Sequence, residues 1–339
     1  MADPLRLVLL GGGHAMLPSL VRARDWTDAG VEVTLIDPQR WLYYSGMVPE
    51  YLGGVYALDD IRIDIERLAR RSGVEFVRDK ATVLDPEART VATAKGDEYP
   101  FDVLALDVGG VNPAVPEEAV ATKPIYRIRA LAPHVERVLG DPDATLTLAV
   151  VGGGAAGVEV SLNVTGRFQA AGRLADLDLT IVEQEGQILP GFPEGMRLYA
   201  ARLLRRRGAD IRTATTVTSV TAPEEKGPRV GTATDRGGVA TLRPDVLLWA
   251  TGAVGPPWLR ESGLSTDERG FLRVTRRLQT PTHPRIFAAG DCATIPDLSL
   301  AKVGVHAVKQ GPLLRTNLDR TLRRLDRDGS VPRASSLKS

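Results

Sequence analysis

The sequence predicts an α/β fold of two doubly wound domains, one inserted into the other. Three observations carry this reading. Two glycine-rich turns, Gly11-Gly12-Gly13 and Gly152-Gly153-Gly154-Ala155-Ala156-Gly157, begin 141 positions apart (152 − 11). Each follows an unbroken apolar run, as a strand buried on both faces of a parallel sheet requires. Each is followed, one helix later, by a second apolar strand that ends on a carboxylate.

The first copy runs Leu5–Leu10, the glycines, an intervening helix, then Val31–Ile36 ending at Asp37. The second runs Leu146–Val151, the glycines, a helix through Val158–Leu162, then Leu177–Val182 ending at Glu183. In such a unit the glycines let the backbone turn tightly and approach a pyrophosphate. The next helix aims free N–H groups at it, and the acid takes ribose hydroxyls. The spacing therefore predicts two dinucleotide sites. The first copy carries Met16 where a third glycine would stand, which predicts a looser or slightly different turn there.

Composition narrows the function classes. A chain of 339 residues supports two domains with sizeable cores. Formal net charge is +1 with acids and bases interspersed, which excludes a nucleic-acid footprint. No apolar run reaches transmembrane length, so a cytoplasmic protein is expected, at most at the inner face of a membrane. No spacing of histidines, acids and cysteine indicates a metal. The single cysteine, Cys292, excludes an intrachain disulfide.

Further acid-strand-glycine runs, Asp102–Gly110 and Asp245–Gly252, read as strands crossing between domains. Ile286–Ala289 then ends in Gly290-Asp291, where a carboxylate can accept hydrogen bonds from sugar hydroxyls. Thr221–Pro228 reads as a hairpin loop. Trp41, Tyr43, Tyr44, Tyr51 and Tyr56 crowd one stretch that suits a flavin wall or core packing. Near the end, Leu314, Leu318, Leu322 and Leu325 form an apolar stripe among arginines, which suits a helix capping a domain or lying on a membrane surface.

Together these motifs resemble the two-dinucleotide-binding-domain flavoprotein superfamily, with two nested Rossmann-like domains. Within it the chain is similar to type II NADH dehydrogenases, apoptosis-inducing-factor-like proteins and the flavoprotein module fused to some selenide, water dikinases. The last likeness rests on Gly11-Gly12-Gly13-His14-Ala15, Tyr44–Pro49, Lys123-Pro124-Ile125 and Lys302–Pro312. The resemblance implies an FAD domain over 1–118 and 246–339 with an NAD(H) domain over 140–245 between its halves. It implies that Gly11, Gly13, His14, Asp37, Ala81, Gly290 and Asp291 hold FAD, and that Gly152, Gly154, Gly157, Glu183 and Gly252 hold NADH. Glu183 and nearby Glu185, with no arginine in that run, disfavour a 2′-phosphate and so favour NADH over NADPH. Tyr44, Lys123 and Lys302 are the candidate catalytic groups beside the flavin, the two lysines as cations facing the negative charge that develops on reduction.

Disulfide reductases and sulfide:quinone oxidoreductases of this superfamily need at least two cysteines, which this chain lacks. The expected acceptor is diffusible: a quinone or another small molecule. Type II NADH dehydrogenases carry an Ala-Gln pair before the equivalent of Gln310-Gly311, and Gly304 and Val305 stand there instead. A reductase of a ferredoxin-like carrier, docking on Arg202, Arg205, Arg206, Arg207 and Arg212, and a slow NADH-sensing flavoprotein stay open as alternatives, as does a homodimer.

Overall fold

The computed structural model describes residues 3–222, 227–298 and 300–329. The chain divides into two units. The first comprises 1–44, 62–111 and 254–339, and the second 45–61 and 112–253.

The first unit is built on a five-stranded parallel sheet in the order Ile286–Ala288, Val103–Leu106, Arg6–Leu10, Glu32–Ile36, Glu75–Val77. Its central strands are apolar throughout because both faces are covered: Leu7, Leu9, Leu10, Leu104, Leu106 and Phe287 are fully buried. A three-stranded antiparallel sheet, Ala81–Asp85, Thr90–Thr93 and Glu98–Pro100, lies in the chain between Glu75–Val77 and Val103–Leu106.

The second unit repeats this plan. Its parallel sheet has the order Ala119–Ala121, Val246–Trp249, Leu146–Val151, Leu177–Val182, Asp210–Arg212. Its antiparallel sheet, Thr215–Thr221, Arg229–Thr234 and Val239–Leu242, falls at the equivalent point in the chain. The first two of these strands pair antiparallel on either side of the hairpin loop expected over Thr221–Pro228, of which residues 223–226 lie outside the described residues.

In both sheets the strand order reverses beside the first strand of the repeat, and the glycine turn leaves that strand's C-terminal end. This is the switch point at which doubly wound sheets open a ligand crevice. The registers are held alike. Asp102 accepts from Arg6 N at 2.9 Å and returns its own N–H to Arg6 O at 2.8 Å. Asp245 does the same to Thr147, at 2.8 Å both ways.

One expectation is corrected. Asp102–Gly110 and Asp245–Gly252 do not cross between domains; Val103–Leu106 and Val246–Trp249 are inner strands of their own sheets, so 246–249 and 45–61 belong to the second unit. The crossovers come just after, where Val111 and Val254 exchange backbone hydrogen bonds at 3.0 and 2.9 Å. The aromatic residues divide between the two units. Trp41 lies under Arg40 and Arg62, Tyr43 is buried in the first unit, and Tyr51 and Tyr56 belong to the second. The leucine stripe takes the first of its two expected roles, a helix closing its domain: Leu314, Leu318, Leu322 and Leu325 of the Gly304–Asp328 helix are buried in the first unit's hydrophobic cluster. No helix among the described residues is long and apolar enough to cross a membrane. The polar run Ser335–Ser339 lies outside the described residues.

The two glycine turns differ where Met16 replaces a glycine. A Cβ at Gly157 would lie 2.0 Å from Gly152 O, so only glycine lets the Ala155–Ala170 helix start directly at the turn. Met16 is fully buried and sits before its helix, which starts at Leu17 and ends at Val21. Gly157→Ala is therefore expected to destabilise the protein by about 1–3 kcal/mol in urea unfolding. Gly140→Ala, where a Cβ would meet nothing within 4 Å, should stay close to wild type. Equal behaviour of the two variants would remove the close approach as the reason for glycine at 157.

Candidate functional site

Both turns are assembled from the same hydrogen bonds. Gly11 N donates to Ile36 O at 2.9 Å, and Gly152 N to Val182 O at 2.8 Å. Asp37 accepts Gly12 N on Oδ2 (2.8 Å) and Gln39 N on Oδ1 (2.7 Å). Glu183 accepts Gly153 N on Oε2 (2.6 Å) and Glu185 N on Oε1 (2.9 Å). Each carboxylate is thus held by two amides, one on each oxygen, which leaves a lone pair on each oxygen for outside donors. Burial raises the Asp37 carboxyl above its usual range, and the two amides oppose that shift.

The turns differ underneath. Asp107 and Ala250 occupy equivalent positions: each donates its N–H to the last residue of the first strand, Leu10 O or Val151 O, at 2.8 Å. Each also underlies the first glycine, where a Cβ would come within 2.5 Å of the Asp107 or Ala250 carbonyl oxygen. Ala250 adds only a methyl group. Asp107 adds a buried carboxyl whose Oδ2 accepts Ala15 N at 2.7 Å and Met16 N at 3.1 Å. Burial, then repulsion from Asp291 and Asp37, pushes this carboxyl up to about 8 against the two amides. Sequence reasoning passed over Asp107. Its signal was present in the contrast between Asp107-Val108-Gly109 and Ala250-Thr251-Gly252.

Around the first turn the structure gathers His14, Tyr44, Gly290, Asp291 and Lys302 in one unit. The His14 ring meets Tyr44 edge to face, with centroids 5.2 Å apart. Burial lowers the His14 pKa, with Asp291 opposing, so its ring is neutral at pH 7. Its Nε2 is buried with no hydrogen-bond partner among the described residues. Gly290 takes a positive φ of 68° and donates to Gln310 Oε1 at 2.7 Å, which presents Asp291 on a short turn. Lys302 bonds Ala293 O and lies 4.1 Å from the Phe271 ring centroid, and burial lowers its pKa. Asp291, Lys302, His306 and Gln310 line one cleft. Ala81 is buried at the start of the antiparallel sheet.

Around the second turn stand Gly152, Gly154, Gly157, Glu183, Thr251 and Gly252. A Cβ at Gly154 would meet nothing within 4 Å, so that face of the turn is open. Thr251 Oγ1 is buried without a partner among the described residues. Lys123 belongs to this unit, and its N–H donates to Asn112 Oδ1 at 2.6 Å. Glu159, exposed in the first turns of the Ala155–Ala170 helix, has its carboxyl raised by desolvation and then by Glu50.

Residues 5–311 match the model of the pyridine nucleotide-disulphide oxidoreductases. The chain belongs to this family. It is 28% identical to the type II NADH:quinone oxidoreductase of Staphylococcus epidermidis, over 94% of this chain and 83% of the relative. Its fold is similar to the sulfide:quinone oxidoreductase of Aquifex aeolicus, with TM-score 0.74 at 18% identity over 94% of this chain and 77% of that one. It is likewise similar to a water-forming NADH oxidase from Lactobacillus brevis, with TM-score 0.74 at 19% identity over 93% and 69%. This oxidoreductase has a single cysteine where a disulfide needs two. In the structure Cys292 is fully buried, its thiol donates to Ala289 O at 3.1 Å, and burial with nearby Asp107 pushes it up to about 12. No thiolate forms there near neutral pH. A maleimide should leave the native protein unlabelled at pH 8 and add one equivalent after denaturation, read by mass spectrometry. Rapid labelling of native protein would contradict the burial.

Proposed function

We propose that the protein is an FAD-dependent NADH dehydrogenase that passes electrons to a small diffusible acceptor, a quinone first among them, without a redox disulfide. The observation that carries this is the duplicated carboxylate clamp. Asp37 and Glu183 each offer two aligned lone pairs to the paired hydroxyls of a ribose, beside a glycine turn. The residues fit the two nucleotides further. The unpartnered His14 Nε2 and Thr251 Oγ1 await outside partners, and the open face at Gly154 leaves room for a pyrophosphate.

In this reading Gly11, Gly13, His14, Asp37, Ala81, Gly290 and Asp291 hold FAD. Gly152, Gly154, Gly157, Glu183 and Gly252 hold NADH. Bound FAD supplies a two-electron acceptor for the hydride of NADH and a donor to the next carrier. The chain's own part is to bind, orient and neutralise charge. Lys302, tethered by Ala293 and Phe271, keeps a cation in the cleft of Asp291, where it offsets negative charge arising on reduction. Neutral His14 holds Tyr44 against the first turn. Lys123, whose backbone is anchored by Asn112, is the second candidate cation for that charge.

A small apolar acceptor is favoured over a protein carrier by what the surface offers. Val303, Val305 and Val308, at the start of the last helix, are 43%, 52% and 44% exposed and stand next in sequence to Lys302. Of the five arginines suited to a carrier, Arg207 is tied to Gln169 and Leu162 O, and Arg212 pairs with Asp210. The type II relatives are named for a quinone. Turnover with a short-chain quinone exceeding that with ferredoxin is the expected outcome of an acceptor panel, and the reverse order would favour the carrier reading.

The clamp also sets the donor. A 2′-phosphate at Glu183 would bring two negative charges against a fixed carboxylate. Glu183→Ser is expected to raise KM for NADH and shrink the NADH-over-NADPH ratio of kcat/KM by about 10- to 100-fold, about 1.4–2.8 kcal/mol. A wild-type preference for NADPH would overturn the role given to Glu183.

A further inference from the structure

The two turns superpose in their hydrogen bonding, yet only the first has an acid beneath it. The chain is shaped around that acid. A Cβ at Gly13 would lie 2.4 Å from the Asp107 Cγ and Oδ2, and one at Gly290 only 2.2 Å from Oδ1. Glycine at both positions leaves room for the carboxyl, which packs between the turn and the Gly290-Asp291 corner. In the second unit the same place holds the methyl group of Ala250.

The charges facing Asp107 are unfavourable for an anion. From the end of the Glu32–Ile36 strand comes Asp37, and from the 290–292 corner come Asp291 and the Cys292 thiol. The turn itself contributes neutral His14. The cation Lys302 acts on Asp291 and Cys292 and is not among the groups that shift Asp107. The last helix contributes Gln310, an amide, through Gly290. In the FAD reading, on which this inference rests, a pyrophosphate with two negative charges joins this group at the same turn.

We propose that Asp107 is a positioning residue and that the protein binds FAD only with a proton on the Asp107 carboxyl, so that FAD binding takes up a proton. Oδ2 accepts both Ala15 N and Met16 N, which assigns the proton to Oδ1 on the Gly290 side. The neutral acid keeps the turn closed through those two amides without setting a third carboxylate against the phosphates.

The sign follows from linkage. Asp107 is already raised in the free protein, to about 8, and two phosphate charges raise it further in the complex. Affinity is therefore full below about 8 and falls as pH rises above it. The experiment is the Kd of the full chain for FAD, by quenching of FAD fluorescence between pH 6 and 9, for wild type and Asp107→Asn. Wild type is expected to bind about tenfold more weakly at pH 9 than at pH 7, whereas Asp107→Asn, which keeps the acceptor for the two amides, should be flat. A flat wild type, or an equal fall in both proteins, overturns the proposal. Calorimetry of FAD binding to wild type at pH 8.5, in two buffers of different ionisation enthalpy, needs no variant. Uptake of about three-quarters of a proton per FAD is expected, and uptake of none overturns it. Failure of wild type to bind FAD at any pH defeats the FAD reading itself, and this proposal with it.

Discussion

A carboxylate that accepts two backbone N–H groups at the mouth of a glycine turn is the constraint on which both units depend. At Asp37 and at Glu183 it fastens the end of the second strand to the turn that leaves the first. Charge-assisted bonds of this kind are shorter and about twice as strong as neutral ones. They also fix where the remaining lone pairs point. The parallel registers, the acids Asp102 and Asp245 that grip the first strands, and the glycines admitted at 11 and 152 all serve to bring strand end and turn to that meeting point.

The two halves then diverge in a way that matches different ligands. The second turn is tight and open on one face, and it runs directly into a sixteen-residue helix. The first is backed by a buried acid, followed by a five-residue helix, and enclosed by Gly290, Asp291 and the last helix. An exchangeable substrate suits the first description and a resident cofactor the second. Buried acids, a neutral histidine and a tethered lysine around the first turn make it the electrostatically tuned half of the molecule.

Much of this was legible in the sequence because it is local. Gly152–Gly157 with Glu183, and Gly11–Gly13 with Asp37, announce strand, turn and acid by spacing alone, and the apolar runs before them announce buried parallel strands. What the sequence hid depends on contacts between distant segments. Val103–Leu106 and Val246–Trp249 look like linkers because their sheet partners lie about a hundred residues away. The Leu314–Leu325 stripe has the same periodicity whether it faces lipid or a core, and only the sheet packed against it decides. Asp107 escaped because an acid after an apolar strand is ordinary; its burial is visible only once Gly13 and Gly290 are seen to make room for it.

Two clamps, one for FAD and one for NADH, would make a single electron-transferring protein. The most direct test of that assignment is an anaerobic titration of the FAD-loaded full chain with NADH, following the visible absorbance of the flavin. Stoichiometric FAD and bleaching complete at one equivalent of NADH are expected. A protein that takes up no FAD, or whose flavin stays oxidised in excess NADH, would contradict it.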